Sequence, residues 1–248
     1  MSCVFISDLH IQEEGDPAHK IYQKFVLHPL TQDADEIFLL GDIFDLCIGD
    51  HYGYTKKFEY FFNSIKSFLE SGKKVYFFEG NHDFHVRKVF RKYLKNTQNK
   101  ENFYYQKNGM IKEINGKRFF ICHGYEVDYF NIYFKRWYKI YNSYPFYFLV
   151  TYFLPFRLIQ YLGNKASKDS KKRGKKTFDY RTMEQKYIEG AKALISEKGL
   201  DGVISGHTHI PANKTYDSGE HYLNVGFPVK HKQFLAFENE QYEFLCIE

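Results

Sequence analysis

The segment 36–45, EIFLLGDIFD, constrains this chain more than any other. Its apolar run 37–40 reads as a buried strand that stops at Gly41 and delivers Asp42 at its C-terminal mouth, where open α/β sheets place their ligands. The same design recurs at VFISDLH (4–10), VYFFEGNHD (75–83), FFICHG (119–124) and VISGHTH (203–209). Each unit is a short apolar run ending abruptly in Asp, Asn or His, the residue types that bind divalent metals through oxygen or imidazole nitrogen. Tips of one design, spread from one end of the chain to the other, predict a single cluster with Asp42 at its centre.

The segments between the tips supply helices. From 54 to 69, Phe58, Phe61, Phe62, Ile65, Phe68 and Leu69 recur at spacings of three and four, the pattern of an amphipathic helix, and Ser71-Gly72 stops it. Further helices are predicted over 22–30, 86–95 and 182–198, and 13–20 reads as a mobile polar loop. Asn115-Gly116 between alternating runs predicts a hairpin, 110–114 with 117–121, that carries His123 towards the cluster. Strands of antiparallel character are expected at 214–216, 221–225, 234–238 and 242–247, after a strand at 202–205. Strand alternating with helix implies an α/β domain with mostly parallel strands. A chain of 248 residues buries a substantial core without staples. Cys3, Cys47, Cys122 and Cys246 form no C-x-x-C pair, which fits the reduced thiols of a cytosolic protein. The first strand begins at Cys3, leaving no room for a secretory signal, so a cytoplasmic location is expected.

One piece, 128–178, breaks the rhythm. Its first part is crowded with aromatic residues and is read as a helical insertion over the site. Residues 129–176 contain eleven Lys or Arg against one acid, Asp169, in a chain of net charge +5, so the remainder is acidic. A basic segment on an acidic body calls for an anionic partner: a phosphate-bearing substrate, a membrane surface or nucleic acid.

Taken singly, each tip residue has an ordinary explanation as a turn former or a satisfied polar group of the core. Taken in order, Asp8-x-His10, Gly41-Asp42-x-x-Asp45, Gly80-Asn81-His82-Asp83, His123 and Gly206-His207-x-His209 form a series that resembles the signature of the calcineurin-like metallophosphoesterases. The resemblance implies an α/β/β/α sandwich, with core 1–127 and 179–248 and a helical lid insertion at 128–178. It also implies two divalent metal ions that hold a phosphorus centre and its nucleophile. Asp42 would bridge them, Asp8, His10 and His209 would complete one metal, and Asn81, His123 and His207 the other. Mixed oxygen and nitrogen donors suit manganese, iron or zinc better than calcium or magnesium. Asp42 and His82 are the catalytic candidates, with His82 a general acid or a phosphate-orienting group whose tautomer an acid, Asp45 or Asp83, would fix. Both acids are also read as turn residues that support the ligands from behind. Glycines 41, 80 and 206 are expected where the backbone must approach closely.

The insertion narrows the substrate. Its length, its position between His123 and GHTH, and its aromatic-then-basic order look like the UDP-2,3-diacylglucosamine pyrophosphohydrolases of lipid A biosynthesis, a resemblance that covers essentially the whole chain. It implies an acylated UDP-sugar cleaved to UMP and a lipid 1-phosphate, acyl chains held by the lid, and contacts from Asn81, His82, His207, Ser167, Lys171 and Lys175. Members of that family carry Arg where this chain has His82. A soluble phosphodiesterase or phosphatase would keep every ligand, a nucleic-acid enzyme would use the aromatic and basic lid for stacking and backbone contact, and a non-catalytic scaffold would have lost ligands. No nucleic-acid partner is expected. The charge-free run 140–156, interrupted by Pro145 and Pro155, is short of the ~20 residues of a spanning helix. The expected location is peripheral, at the cytoplasmic face of the inner membrane, with Phe146, Phe148, Phe153 and Phe156 inserted and Arg157, Lys165 and 168–176 facing anionic headgroups.

Overall fold

A computed structural model describes residues 1–128, 132–163, 165, 180–238 and 241–247. The strands are β1 (Cys3–Ile6), β2 (Glu36–Leu39), β3 (Cys47–Ile48), β4 (Lys74–Phe78), β5 (Asp83–Phe84), β6 (Phe103–Gln106), β7 (Met110–Ile114), β8 (Lys117–Ile121), β9 (Gly202–Ser205), β10 (Ala212–Thr215), β11 (His221–Asn224), β12 (Gln233–Glu238) and β13 (Gln241–Cys246). One sheet runs β13-β12-β1-β2-β4-β6 and a second β10-β11-β9-β8-β7. In the first, β1, β2, β4 and β6 are parallel; in the second, β8, β9 and β11 are.

Alternation along each strand sorts the core into layers. Val4, Ile6, Ile37, Leu39, Val75 and Phe77 point outward against helices Pro17–Leu27 and Glu59–Glu70, packing on Phe25, Phe61 and Ile65. Their neighbours Cys3, Phe5, Phe38 and Tyr76 point inward and meet Phe119, Ile121, Ile204 and Leu223 of the second sheet. On its far side that sheet packs Cys122, Val203 and Tyr222 against Tyr187, Ala191 and Leu194 of helix Tyr180–Lys198. The result is the expected α/β/β/α sandwich. Between the sheets, the rings of Phe5, Phe38, Tyr76 and Tyr104 stack across four adjacent strands at 4.5, 4.4 and 4.7 Å, close to the spacing of the strands themselves.

Several local expectations need correction. The first helix begins at Pro17, inside the expected loop, because Asp16 caps it by accepting from His19 N and Pro17 occupies its first turn. The helix read over 54–69 is two helices, Gly53–Lys57 and Glu59–Glu70, broken at Phe58 (φ −123°, ψ 46°). β11 is antiparallel to β10 but parallel to β9. The edge strand β6 and the small parallel pair β3 and β5 were not anticipated. The hairpin forms as read, with Asn115 and Gly116 at φ 51° and 79°.

In the lid region the described helices are Ile132–Tyr141, Tyr144–Phe148, the π-helical turn Leu149–Phe153 and 156–163. They dock on the loop after β3 and on β5. His51 Nε2 donates to the Val150 carbonyl (2.7 Å) and His85 Nε2 to that of Tyr141 (2.6 Å). Tyr147 donates to Asp50 (2.8 Å), and Phe156 packs edge-on to Tyr54. Phe156 is therefore turned into the core face and Phe146, half-buried, stacks on Phe84, contrary to the expectation that both face outward. Tyr144, Phe148, Leu149, Tyr152 and Phe153 are exposed. No helix among the described residues is long and apolar enough to cross a membrane.

Candidate metal centre

The tips meet because parallel pairing continues past the strand ends. Leu40 N donates to Ile6 O (2.8 Å), Asp8 N to Gly41 O (3.1 Å) and His10 N to Asp42 O (3.0 Å), so the first two tips run side by side. In the second sheet Cys122 N donates to Ile204 O (3.1 Å) and Gly206 N to His123 O (2.7 Å), which aligns His123 with the GHTH tip. The sheets face each other, so all the tips share one end of the sandwich.

Two groups of candidate ligands result. Asp8, His10 and His209 form one and Asp42, His123 and His207 the other, each with its ligand atoms within 4.8 Å of one another. Asn81 Oδ1 joins the second group, 3.2 Å from His123 Nε2. Asp42 lies between the groups: its Oδ2 is 3.8 Å from His10 Nε2 and 3.6 Å from His123 Nε2, while its Oδ1 accepts from His82 N (2.8 Å). A third set, His10, Asp45 and His82, lies at the same mutual distances. Ser167, Lys171 and Lys175 lie outside the described residues.

The residues fit divalent cations. Asp8 Oδ1 is buried without a hydrogen-bond donor, 3.3 Å from His209 Nε2. Nitrogens of His10 and His209 approach to 3.0 Å, and those of His123 and His207 to 3.1 Å. The His123 tautomer is fixed from behind, since Nδ1 donates to the Leu40 carbonyl (2.7 Å) and leaves the Nε2 lone pair to the cluster. Burial lowers His10 and His207 to about 4, so both imidazoles are neutral and able to donate at pH 7. Burial works to raise Asp42, but the surrounding histidines, His82 foremost, outweigh it and keep the carboxyl ionised.

The backbone is strained where it presents these groups. Asp8, His10, Asp42, His207 and His209 have φ of 51°, 54°, 51°, 72° and 58°. Left-handed conformations in non-glycine residues cost on the order of 1–3 kcal/mol each and persist only where the surroundings over-determine them. Asp83 does so for Asp42. Its buried carboxylate accepts from Asp42 N (2.9 Å), Gly80 N (2.9 Å), Ile43 N (2.7 Å) and Phe44 N (3.2 Å). Burial and the nearby Asp42 carboxylate push Asp83 upward, and the backbone donors oppose that shift. Gly80 is needed for close approach, because a Cβ there would stand 2.2 Å from Asp42 Oδ1.

His82 donates from Nδ1 to the main-chain carbonyl of Asp45 (2.8 Å), so a carbonyl fixes its tautomer, and the Asp83 carboxylate is spent on backbone donors instead. Sequence reasoning missed three residues near the site. His51 and His85 hold the lid, but their partners are backbone carbonyls, which leave no mark in a sequence. Phe227 stacks on His209 (4.9 Å, 16° between planes) from the turn after β11, where only its place in a Gly-Phe-Pro turn sets it apart.

The calcineurin-like phosphoesterase family model matches residues 1–211. A protein of Aliivibrio fischeri named UDP-2,3-diacylglucosamine hydrolase is 25% identical over 233 residues, 89% of this chain and 86% of its own length. One of the same name from Pseudomonas fluorescens is 24% identical over 209 residues, 84% and 79%. A solved archaeal phosphodiesterase superposes with a TM-score of 0.50 at 14% identity over 99% of both chains, a likeness of fold. Its match over most of its length, with a divalent-metal site of acids, histidines and Asn81 at the shared end of both sheets, makes this chain a member of the calcineurin-like phosphoesterase family and a metal-dependent hydrolase of phosphoesters or diphosphates.

Proposed function

We propose that this chain hydrolyses the diphosphate of UDP-2,3-diacylglucosamine, giving UMP and 2,3-diacylglucosamine 1-phosphate in lipid A biosynthesis. The observation that carries the reading is the lid: a run of exposed Tyr, Phe and Leu side chains, fixed by His51 and His85 to the end of the sandwich that bears the metal ligands. A hydrolase of small soluble phosphoesters has no use for such a surface, whereas an acylated substrate needs one beside the reacting phosphorus. The names of the Aliivibrio and Pseudomonas relatives support the same substrate class.

In this reading Asp8, His10 and His209 would hold one divalent ion and Asn81, His123 and His207 a second, with the Asp42 carboxylate shared between them. Manganese suits the mixed donors, with iron or zinc as alternatives. When bound, such ions act as Lewis acids and lower the pKa of water. Asp42 also holds the His82 main chain through Oδ1. With Nδ1 committed to the Asp45 carbonyl, His82 keeps Nε2 for a phosphoryl oxygen or for a proton to the leaving group. Asn81, His82 and His207 contact the diphosphate, and Ser167, Lys171 and Lys175 the sugar and phosphate. The lid rests on the cytoplasmic face of the inner membrane without crossing it, its exposed aromatic residues at the interface.

The test is turnover of UDP-2,3-diacylglucosamine against its deacylated analogue, with products identified by mass spectrometry. Strong preference for the acylated substrate, with release of UMP and the lipid 1-phosphate, is expected. Equal turnover of the two would refute the lipid reading and leave a soluble phosphodiesterase.

A further inference from the structure

A cleft of about 490 Å³ opens on His10, His82 and His209, and none of its walls comes from the described part of the lid. Its volume falls within the roughly 300–1,000 Å³ usual for ligand pockets. Leu9, Pro17, Ala18, Phe227 and Val229 form its apolar sides, and Gln12 stands at its rim. A group bound there is contiguous with the metal centre, yet it occupies ground that the acyl-binding surface leaves unused. Resting on the UDP-sugar reading above, we propose that this cleft seats the pyrimidine of the nucleotide half of the substrate, with Phe227 as its stacking platform and the Gln12 carboxamide at its edge.

Three features support a neutral, planar occupant. Phe227 is half-buried and lines the cleft; His209 stacks on its ring and His10 meets the ring edge-on. Its main chain is pinned, because Phe227 N donates to His231 Nδ1 (3.2 Å) and its carbonyl accepts from Lys230 N (3.0 Å) and His231 N (2.9 Å). Stacking on a ring that is already fixed orders only the ligand. Another part of the lining is equally set, since Asp16 accepts from Gln12 N (2.7 Å) and His19 N (2.6 Å) and so fixes the start of the helix carrying Pro17 and Ala18. Finally, among the described residues, and apart from the candidate ligand histidines and His82, the ionisable groups lining the cleft are the carboxylates Asp16 and Asp45. They disfavour a second phosphate or an acid and leave a neutral heterocycle. The donor and acceptor of a carboxamide match the adjacent N–H and C=O of a uracil edge.

The probes are UMP and ribose 5-phosphate, which share a phosphate and differ in the base. Binding of each to the metal-loaded full chain is measured by calorimetry, alongside turnover of UDP-2,3-diacylglucosamine. UMP should bind at least about tenfold more tightly than ribose 5-phosphate, and that ratio should collapse in both Phe227→Ala and Phe227→Leu. The leucine variant keeps apolar bulk beside His209 and so separates loss of the stacking face from collapse of the wall. Gln12→Ala should reduce the ratio by a smaller factor. Equal binding of the two probes by the wild-type chain, or a ratio that survives both Phe227 variants, would overturn the assignment of the cleft whatever the turnover. A base preference that behaves as expected without turnover of the lipid substrate would instead overturn the substrate reading.

Discussion

Asp83 fixes the Asp42 tip with four backbone hydrogen bonds to one buried carboxylate, and the neighbouring tips lock to one another through a continuous main-chain ladder. The lid, by contrast, is joined to the sandwich mainly by side chains from scattered positions, His51 and His85 to lid carbonyls, Tyr147 to Asp50, Tyr138 to the Lys107 carbonyl and Lys88 to Tyr152, with ring contacts beside them, while Tyr144, Phe148, Tyr152, Phe153 and Tyr161 face outward. One region spends its interactions on placing a few atoms against backbone strain. The other leaves several of its large side chains exposed. Under the proposed function the difference separates two tasks: the reacting phosphorus needs ligands held to fractions of an ångström, whereas acyl chains would need only area.

The largest effect should come from breaking the centre of the rigid region. Asp42→Ala removes the oxygen that lies between both ligand groups and should abolish metal loading and hydrolysis together, as read by elemental analysis and product release. Retention of two metals per chain would show that Asp42 is not the bridge and that each ligand group stands alone. A smaller loss separates ligand from reactive group within the same region. His82→Ala should lower kcat by about 10² to 10⁴ while metal content stays intact, the range for a positioned acid or base. An unchanged kcat would make His82 a structural residue held by Asp42 and Asp45.

The smallest effect belongs to the lid. Each basic residue near an anionic surface adds on the order of 1 kcal/mol, so the chain should co-sediment with anionic vesicles at low salt and be released as salt rises. Arg157 and Lys165 are exposed beside the apolar patch and would contribute directly. Indifference to vesicle charge would confine the patch to substrate and take the membrane out of the comparison.

The two regions also differ in how far they could be read in advance. The ligand tips were legible because a buried strand ending in Asp, Asn or His leaves a local mark, and the order of the tips did the rest. Their strain was not, since nothing in Ser-Asp-Leu-His or Gly-His-Thr-His announces a left-handed backbone; that conformation is imposed by the neighbouring tip. The start of the first helix is written in Asp16-Pro17, a cap followed by a residue pre-set for the first turn, but in a polar stretch both Gly15 and Pro17 read equally as loop residues. The parallel partner of β11 and the edge strand β6 depended on distant segments. In the lid, Phe153 is 67% exposed whereas Phe156 packs on Tyr54, a distinction set by how the helices dock and invisible in a run of aromatic residues.

His51 and His85 grip the lid by the carbonyls of Val150 and Tyr141, and a carbonyl is the same whatever side chain its residue carries. Anchorage and chemical character are thereby uncoupled at those positions. Substitution along the outer face of the lid can enlarge, shrink or polarise the exposed surface while these two attachments to the sandwich stay as they are. If the substrate is acylated as proposed, a scaffold built in this way could change the chain length it accepts by drift in one segment, without renegotiating the geometry at phosphorus.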